Sequence, residues 1–197
     1  MMRLPAARPC RAELPCIVTR SVGSESGMII RAIDTTDIPD IAAMHLASWR
    51  AAYDGIMPAA ALAALSTVEF EASWRSQLSD AQRTHLLCES QGMIAGFVGC
   101  GPCRDREVGG RSIGEIYELY THPIRWKQGT GRALCEAALA VLEQKHFSEI
   151  SLWVLRENER ARRFYEAMQF LQDSDGCMII HRFDMDLVHV RYRRTIG

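Results

Sequence analysis

An excess of charge of either sign is missing from this 197-residue chain: 23 Lys and Arg face 24 Asp and Glu, a formal net charge of -1. Such balance does not build the one-signed field that bulk nucleic acid or an anionic membrane surface selects. Long apolar runs are missing as well. Hydrophobic residues make up 48% of the chain, yet no run approaches the roughly 20 residues that span a bilayer. The expectation is a soluble chain with enough apolar content for one globular core. Lysine is scarce too. Lys127 and Lys145 are the two lysines among the 23 basic residues, and the arginine excess reads as coding bias with no function attached.

A disulfide framework is excluded by arithmetic and spacing. The seven cysteines (Cys10, Cys16, Cys88, Cys100, Cys103, Cys135 and Cys177) are odd in number and scattered. They fit reduced, mostly buried thiols of a cytosolic protein. Cys100-Gly101-Pro102-Cys103 has C-x-x-C spacing, but a charged loop, RDREVGGRSIG, follows it. The helix N-terminus that would lower a thiol pKa is absent, and so is the second pair that a zinc site needs. His181, Asp184 and Asp186 read as a solvated strand face, so no metal is expected. There is no internal repeat.

What is present centres on GEIYELYTHPIRWKQGTGRALCEAA, residues 114–138. Ile113 to Thr121 reads as a strand. Simple alternation puts Ile113, Glu115, Tyr117, Leu119 and Thr121 on one face and Gly114, Ile116, Glu118 and Tyr120 on the other. His122-Pro123 ends it. From Gly131 onward Leu134, Ala138, Val141 and Leu142 recur at i, i+4, i+7 and i+8, one buried helical stripe. The first turn of that helix leaves about four amides without intrahelical partners and carries roughly half a positive charge. Gly129 and Gly131 remove side chains there, Lys127 and Arg132 add cations, and the expected guest is a phosphate or pyrophosphate. A tight turn with no ligand stays open as an alternative. Gly131-Arg132-Ala133 lacks the Gly-Lys-Ser/Thr of a nucleotide triphosphatase. GTGRAL also lacks the third glycine of a dinucleotide-binding turn.

In chain order, residues 1–27 hold prolines, arginines and no apolar period, and are expected to be a disordered extension; Met28 is a possible start. Residues 28–197 form the folded domain. Met28 to Ile33 reads as a strand. A helix capped by Thr36 or Asp37 follows, with Ile38, Ile41, Ala42, His45 and Trp49 on one face. His45 reads as a hydrogen-bonded core histidine, and Trp49 and Tyr53 as core or cleft-wall aromatics. Pro58 to Leu65 and Thr67 to Leu78 are helical. Thr84 to Ser90 and Met93 to Cys100 form a hairpin through Gln91-Gly92, and Arg104 to Arg111 is loop. Glu149 to Leu155 is a strand. Asn158 caps a helix bearing Ala161, Phe164, Tyr165 and Met168. Cys177 to His181 and Phe183 to Tyr192 are two closing strands.

The order of elements resembles the GNAT superfamily of acyl-CoA-dependent N-acyltransferases, across residues 28 to 195. ELYTHPIRWKQGTGRAL is similar to that family's acyl-CoA motif, ASWRAAYDGIMP to the first helix and loop of one bacterial branch, and LWVLRENERARRFYEAMQF to its second conserved block. One departure stands out: Trp126 occupies the place where the family carries Gln or Arg, with Arg125 one residue earlier.

The resemblance implies an α/β (α+β) fold. Its sheet would be mixed and mostly antiparallel, with six to seven strands flanked by helices and splayed between the two central strands. It implies acetyl-CoA as co-substrate, with the diphosphate on amides of Lys127, Gln128, Gly129, Thr130, Gly131 and Arg132. The backbone of Leu119, Tyr120 and Thr121 would pair with the pantetheine arm. The Leu119 N–H would polarise the thioester, and Asn158 would contact the cofactor. An amine of ordinary pKa near ~10 must lose a proton and the thiolate must gain one. Glu115 is favoured as the base over Glu118, which alternation puts on the opposite strand face unless a bulge turns it inward, and Tyr165 as the acid.

The implied function is acetyl transfer from acetyl-CoA to a primary amine of a small-molecule acceptor, by direct attack in a ternary complex. The acceptor would lie near Trp49 and Tyr53. A non-catalytic acyl-CoA sensor, a plain interaction domain and a protein N-terminal or lysine acetyltransferase are the alternatives. Nucleic acid and membrane are not expected partners. A homodimer through an exposed final strand, Leu187 to Tyr192, is possible.

Overall fold

The structure is a computed structural model of the chain and describes residues 27–105 and 112–196. The expected disordered extension, apart from Gly27, and most of the loop after Arg104 lie outside these residues. The elements are β1 (Met28–Ala32), α1 (Ile38–Ala52), α2 (Ala59–Ala64), α3 (Thr67–Leu78), β2 (Thr84–Ser90), β3 (Met93–Pro102), β4 (Ile113–Thr121), α4 (Thr130–Gln144), β5 (Glu149–Leu155), α5 (Glu159–Ala167), β6 (Leu171–Arg182) and β7 (Met185–Thr195). One sheet takes the order β1-β2-β3-β4-β5-β7-β6. All neighbours are antiparallel except β4 and β5.

Local chemistry explains most boundaries. Gln91 and Gly92 both take positive φ, 52° and 74°, so β2 and β3 are joined by the primed two-residue turn that matches strand twist. The first helix is entered differently from the expectation. Asp34, and neither Thr36 nor Asp37, makes the side-chain cap, on a single 3₁₀ turn (Thr35–Asp37) that runs into α1. Phe183 and Asp184 also take positive φ, 57° and 55°. They form the β6–β7 turn, so Phe183 is not a strand residue as expected; a Phe-Asp pair carries no glycine or asparagine signal for that turn.

Helices pack on both faces. The α4 stripe of Leu134, Ala138, Val141 and Leu142 lies on the sheet face that carries Leu86, Val98, Ile116 and Leu152. On the opposite face Ile38, Ile41 and Ala42 of α1 and Trp74 of α3 cover Leu87 and Phe97. Full burial of each large apolar side chain contributes roughly 1.5–3 kcal/mol. Gly96 sets the closeness of α4: a Cβ there would stand 2.6 Å from the Tyr120 carbonyl oxygen and 2.9 Å from Leu134 Cδ1.

Two irregularities of β4 make the site. The register with β3 passes from Gly99↔Glu118 to Cys100↔Ile116, so Tyr117 is an extra, bulged residue. The parallel ladder with β5 runs only from Ile113↔Glu149 to Ile116↔Leu152. Beyond it the two central strands part, leaving the β5-facing edge of β4 without a strand partner from Tyr117 to Thr121. At the far side of the sheet β7 lies between β5 and β6. The expected exposed edge at Leu187 to Tyr192 is therefore paired on both sides, because β7 inserts beside β5. The open edge belongs to β6, where Leu171 and Ile179 are exposed.

Candidate active site

The space opened by the parting strands divides into a cavity on the α4 side and two on the α1 side. The first, about 370 Å³, is bounded by the end of β4, the turn into α4 and one side of α5. Lys127 (φ 62°) and Gly129 (φ 87°) bend this turn into the left-handed region. Gly129 is the residue before α4, no side chain caps that helix, and the amides of its first turn have no intrahelical partners.

Arg125, Lys127, Arg132 and Arg160 line this cavity, and no carboxylate does. Trp126 donates from Nε1 to the Thr121 carbonyl at 3.1 Å, and the Arg160 guanidinium stacks 3.3 Å over its ring. Burial lowers the Arg160 pKa, a cost that a bound anion would relieve. An uncapped helix start ringed by cations fits a diphosphate. The Thr121 carbonyl also accepts from Ser48 Oγ at 2.8 Å, so it is occupied twice by the protein.

On the other side, cavities of about 530 and 610 Å³ flank Trp49, Tyr117, Glu118, Tyr120 and Arg182, which line both. The 530 Å³ cavity shares Leu119, Tyr120, Asn158, Ala161 and Tyr165 with the α4-side cavity. Asn158 accepts from the Ala161 amide at 3.1 Å, which starts α5 and fixes Tyr165 two turns later at this junction. Burial raises the Tyr165 pKa, so its phenol stays protonated. Tyr53 and Tyr120 share a 2.8 Å hydroxyl hydrogen bond, and burial raises both of their pKa values.

The two glutamates differ sharply. Glu115 is 1% exposed. The Arg104 guanidinium donates from Nη2 to Oε1 at 2.5 Å and from Nε at 3.1 Å to Oε2, and the Arg104 amide donates to Oε2 at 2.9 Å. Glu118 has no such clamp. Among the described residues its Oε1 reaches no hydrogen-bond partner, His85 Nε2 being 4.0 Å away, and burial pushes its pKa up to about 7. The bulge at Tyr117 offsets the alternation that would separate the two, and both line the 530 Å³ cavity.

Of the residues picked from the sequence, Leu119, Tyr120, Thr121, Lys127, Gly129, Gly131, Arg132, Asn158 and Tyr165 line the first cavity, and Trp49, Tyr53, Glu115 and Glu118 line the 530 Å³ cavity. Gln128 and Thr130 line neither. The Gln128 amide group donates to the Ile124 carbonyl, and the Thr130 side chain is buried beside Met28. His45 is in the core as expected, but both ring nitrogens lack hydrogen bonds; it is packed among Phe70, Phe97 and Tyr120 instead.

Sequence reasoning missed Arg104, Arg160 and Arg182. Of these, Arg160 alone had a local signal, two residues after the helix-capping Asn158. A larger depression of about 1000 Å³ near Glu143, Asp173 and Arg193 contains none of these groups and is distant from the β4–β5 opening. Among the described residues no cluster of His, Cys, Asp and Glu could hold a metal ion, and no helix is long and apolar enough to cross a membrane.

This geometry has relatives. The sequence profile of the acetyltransferase (GNAT) family matches residues 45–170. The uncharacterized N-acetyltransferase YuaI of Bacillus subtilis is 35% identical over 138 residues, which cover 70% of this chain and 77% of that protein. An uncharacterized N-acetyltransferase of Archaeoglobus fulgidus is 30% identical over 149 residues, 76% of this chain and 97% of that protein. Among solved structures, the PaiA N-acetyltransferase of Thermoplasma acidophilum in complex with coenzyme A matches with a TM-score of 0.62 at 17% identity, covering 86% of this chain and 99% of that one.

Proposed function

The chain belongs to the acetyltransferase (GNAT) family, and from that premise we propose that it moves the acetyl group of acetyl-CoA directly to a primary amine, with Glu118 as base and Tyr165 as acid. The observation that carries this reading is the unclamped Glu118 carboxylate beside the junction of a cation-lined cavity and the acceptor cavities.

On the cofactor side, the first-turn amides of α4, with Lys127, Arg132 and Arg160, hold the diphosphate of acetyl-CoA. The parted edge of β4 at Leu119 and Tyr120 accepts the pantetheine arm as an added strand. Thr121 contributes less than expected from sequence, since its carbonyl already accepts two protein donors. Acetyl-CoA supplies the thioester that the amine attacks. The Leu119 amide is the fixed donor for charge developing on the thioester oxygen.

On the acceptor side, an ammonium must lose a proton before its lone pair can attack. Glu118, with a pKa pushed to about 7, is matched to that task near neutral pH. Glu115 is already engaged, because Arg104 holds both of its oxygens and leaves neither free to meet an incoming ammonium. Its role is to hold Arg104 across the mouth of the bulge. Tyr165, kept protonated by burial, can only donate, which is what a departing thiolate requires.

The test is thiol release from acetyl-CoA against a panel of primary amines. Turnover is expected, with kcat/KM lower by about 10²- to 10⁴-fold in Glu118→Gln, the usual range for loss of a general base. Equal turnover in that variant would remove Glu118 from the mechanism.

A further inference from the structure

Three residues that line the 610 Å³ cavity carry four buried polar atoms with no hydrogen-bond partner among the described residues: Nδ1 and Nε2 of His45, Nε1 of Trp49 and Oε1 of Glu118. Native proteins rarely bury such groups unsatisfied, and several at one cavity call for a ligand or ordered water. Burial lowers the His45 pKa to about 3, so the imidazole is neutral and brings one donor and one acceptor.

A solvent-exposed cation borders the same space. Arg182 lines both acceptor-side cavities, and its guanidinium lies 5.6 Å from the Trp49 ring centroid and 4.6 Å from that of Phe183. Among the described residues it forms no salt bridge. The other charges bordering these cavities are engaged: Arg104 with Glu115, Asp105 with Arg191, and Glu69 in the cap of α3. One anion, Glu118, and one cation, Arg182, are left over.

The face between them is apolar. Met178 and Ile180 alternate with Arg182 on one face of β6 and line the 530 Å³ cavity, and they remain 37% and 40% exposed. Apolar side chains left this open within a cleft are what a ligand's hydrocarbon body covers.

We propose that the acceptor is a small amine that also carries a carboxylate, with an apolar body, as in a hydrophobic amino acid. Its amine meets Glu118, its carboxylate accepts from Arg182 and Trp49 Nε1, and its body lies against Met178, Ile180 and the Trp49 ring. This rests on the acetyl-transfer reading and adds to it the class of acceptor. The chemistry balances without a further reactant: Glu118 takes the first ammonium proton, the amine nitrogen gains the acetyl carbon, the carbon–sulfur bond breaks and the thiolate receives a proton from Tyr165, while the second nitrogen proton, shed as the amide forms, restores the Tyr165 phenol and Glu118 passes its own to solvent. The carboxylate takes no part in bond making, so Arg182 is a binding residue for the acceptor and not an acid or base.

The experiment compares matched acceptors: L-phenylalanine, L-phenylalaninamide and phenethylamine, and L-leucine beside 3-methylbutylamine. Rates are expressed per unprotonated amine, so that differences in amine pKa cancel. The free amino acids are expected to exceed their carboxylate-free partners in kcat/KM on the order of 10-fold, the scale of a charge-assisted hydrogen bond from a cation that is itself exposed. In Arg182→Ala that advantage falls to within about threefold, through KM for the amino acid, while KM for acetyl-CoA is unchanged. Arg182→Lys restores part of it. Trp49→Phe, which keeps a ring and removes the N–H, raises the same KM severalfold.

Amide or amine turning over as well as the acid overturns the proposal, and so does turnover of no amino acid while calorimetry shows acetyl-CoA bound. In both cases the acetyl-transfer reading survives. Failure of acetyl-CoA to bind at all overturns that reading, and this proposal with it.

Discussion

The proposed cofactor side and the proposed acceptor side of this cleft meet at Tyr165 yet are made in opposite ways. The first is built mostly from one continuous stretch, Leu119 to Arg132, and from the start of α5. Its working parts are main-chain amides, a helix end and flexible cations, which tolerate changes of side chain. The second gathers side chains from α1, α3, β4, β5, β6 and β7. Its working parts are single groups such as the Glu118 carboxylate, placed after a bulge, and the Arg182 guanidinium, placed at a hairpin tip. A universal co-substrate suits backbone recognition, whereas a particular acceptor needs side chains.

That contrast can be broken at the junction. Tyr165→Phe removes one hydroxyl and is expected to lower kcat by about 10²-fold, the lower end for general acid–base groups, with KM for acetyl-CoA unchanged. A rise in that KM with kcat intact would make Tyr165 part of the cofactor wall alone. Next in size, Arg160→Ala is expected to weaken coenzyme A binding about tenfold in calorimetry, with a loss that shrinks as salt rises, because the contact is ionic and partly exposed. Unchanged affinity would leave the Trp126–Arg160 stack a structural feature and return the diphosphate to the α4 amides alone.

The smallest effect concerns stability. Glu118 has a native pKa of about 7 against an ordinary 4.5, so the native state binds its proton more tightly than the unfolded chain does. Stability therefore falls as pH rises from about 4.5 to about 7, and the full cost is present above that range. Glu118→Gln removes the cost: the variant's Tm is expected a few degrees above the parent's at pH 8 and equal to it at pH 4. Equal Tm values at both pH values would mean that Glu118 is better solvated than its burial indicates.

The same contrast explains what could be read from the sequence. The 3.6-residue stripe of α4, the alternation of β5 and the Gln91-Gly92 turn are short-range signals, and these elements appear where those signals put them. The cavity beside α4 follows, since half of its lining comes from neighbours in sequence. The face of Glu118 was not legible, because the bulge at Tyr117 exists only in register with Gly99 and Cys100 of β3. Arg104 reaches Glu115 across an 11-residue separation that no periodicity marks. The paired edges of β7 and the positive φ of Phe183 likewise depend on tertiary pairing and leave no mark in composition. His45 was legible as buried but not as unsatisfied, since the rings around it come from three other elements.

The central claim is that the unclamped carboxylate, Glu118, drives the chemistry and the clamped one, Glu115, does not. The most direct measurement is the pH dependence of kcat/KM for acetyl transfer in the parent, Glu118→Gln and Glu115→Gln. The account predicts an acidic limb that rises with pH to an inflection near 7 in the parent, persists in Glu115→Gln and is lost in Glu118→Gln. A limb that survives in Glu118→Gln and disappears in Glu115→Gln would contradict it.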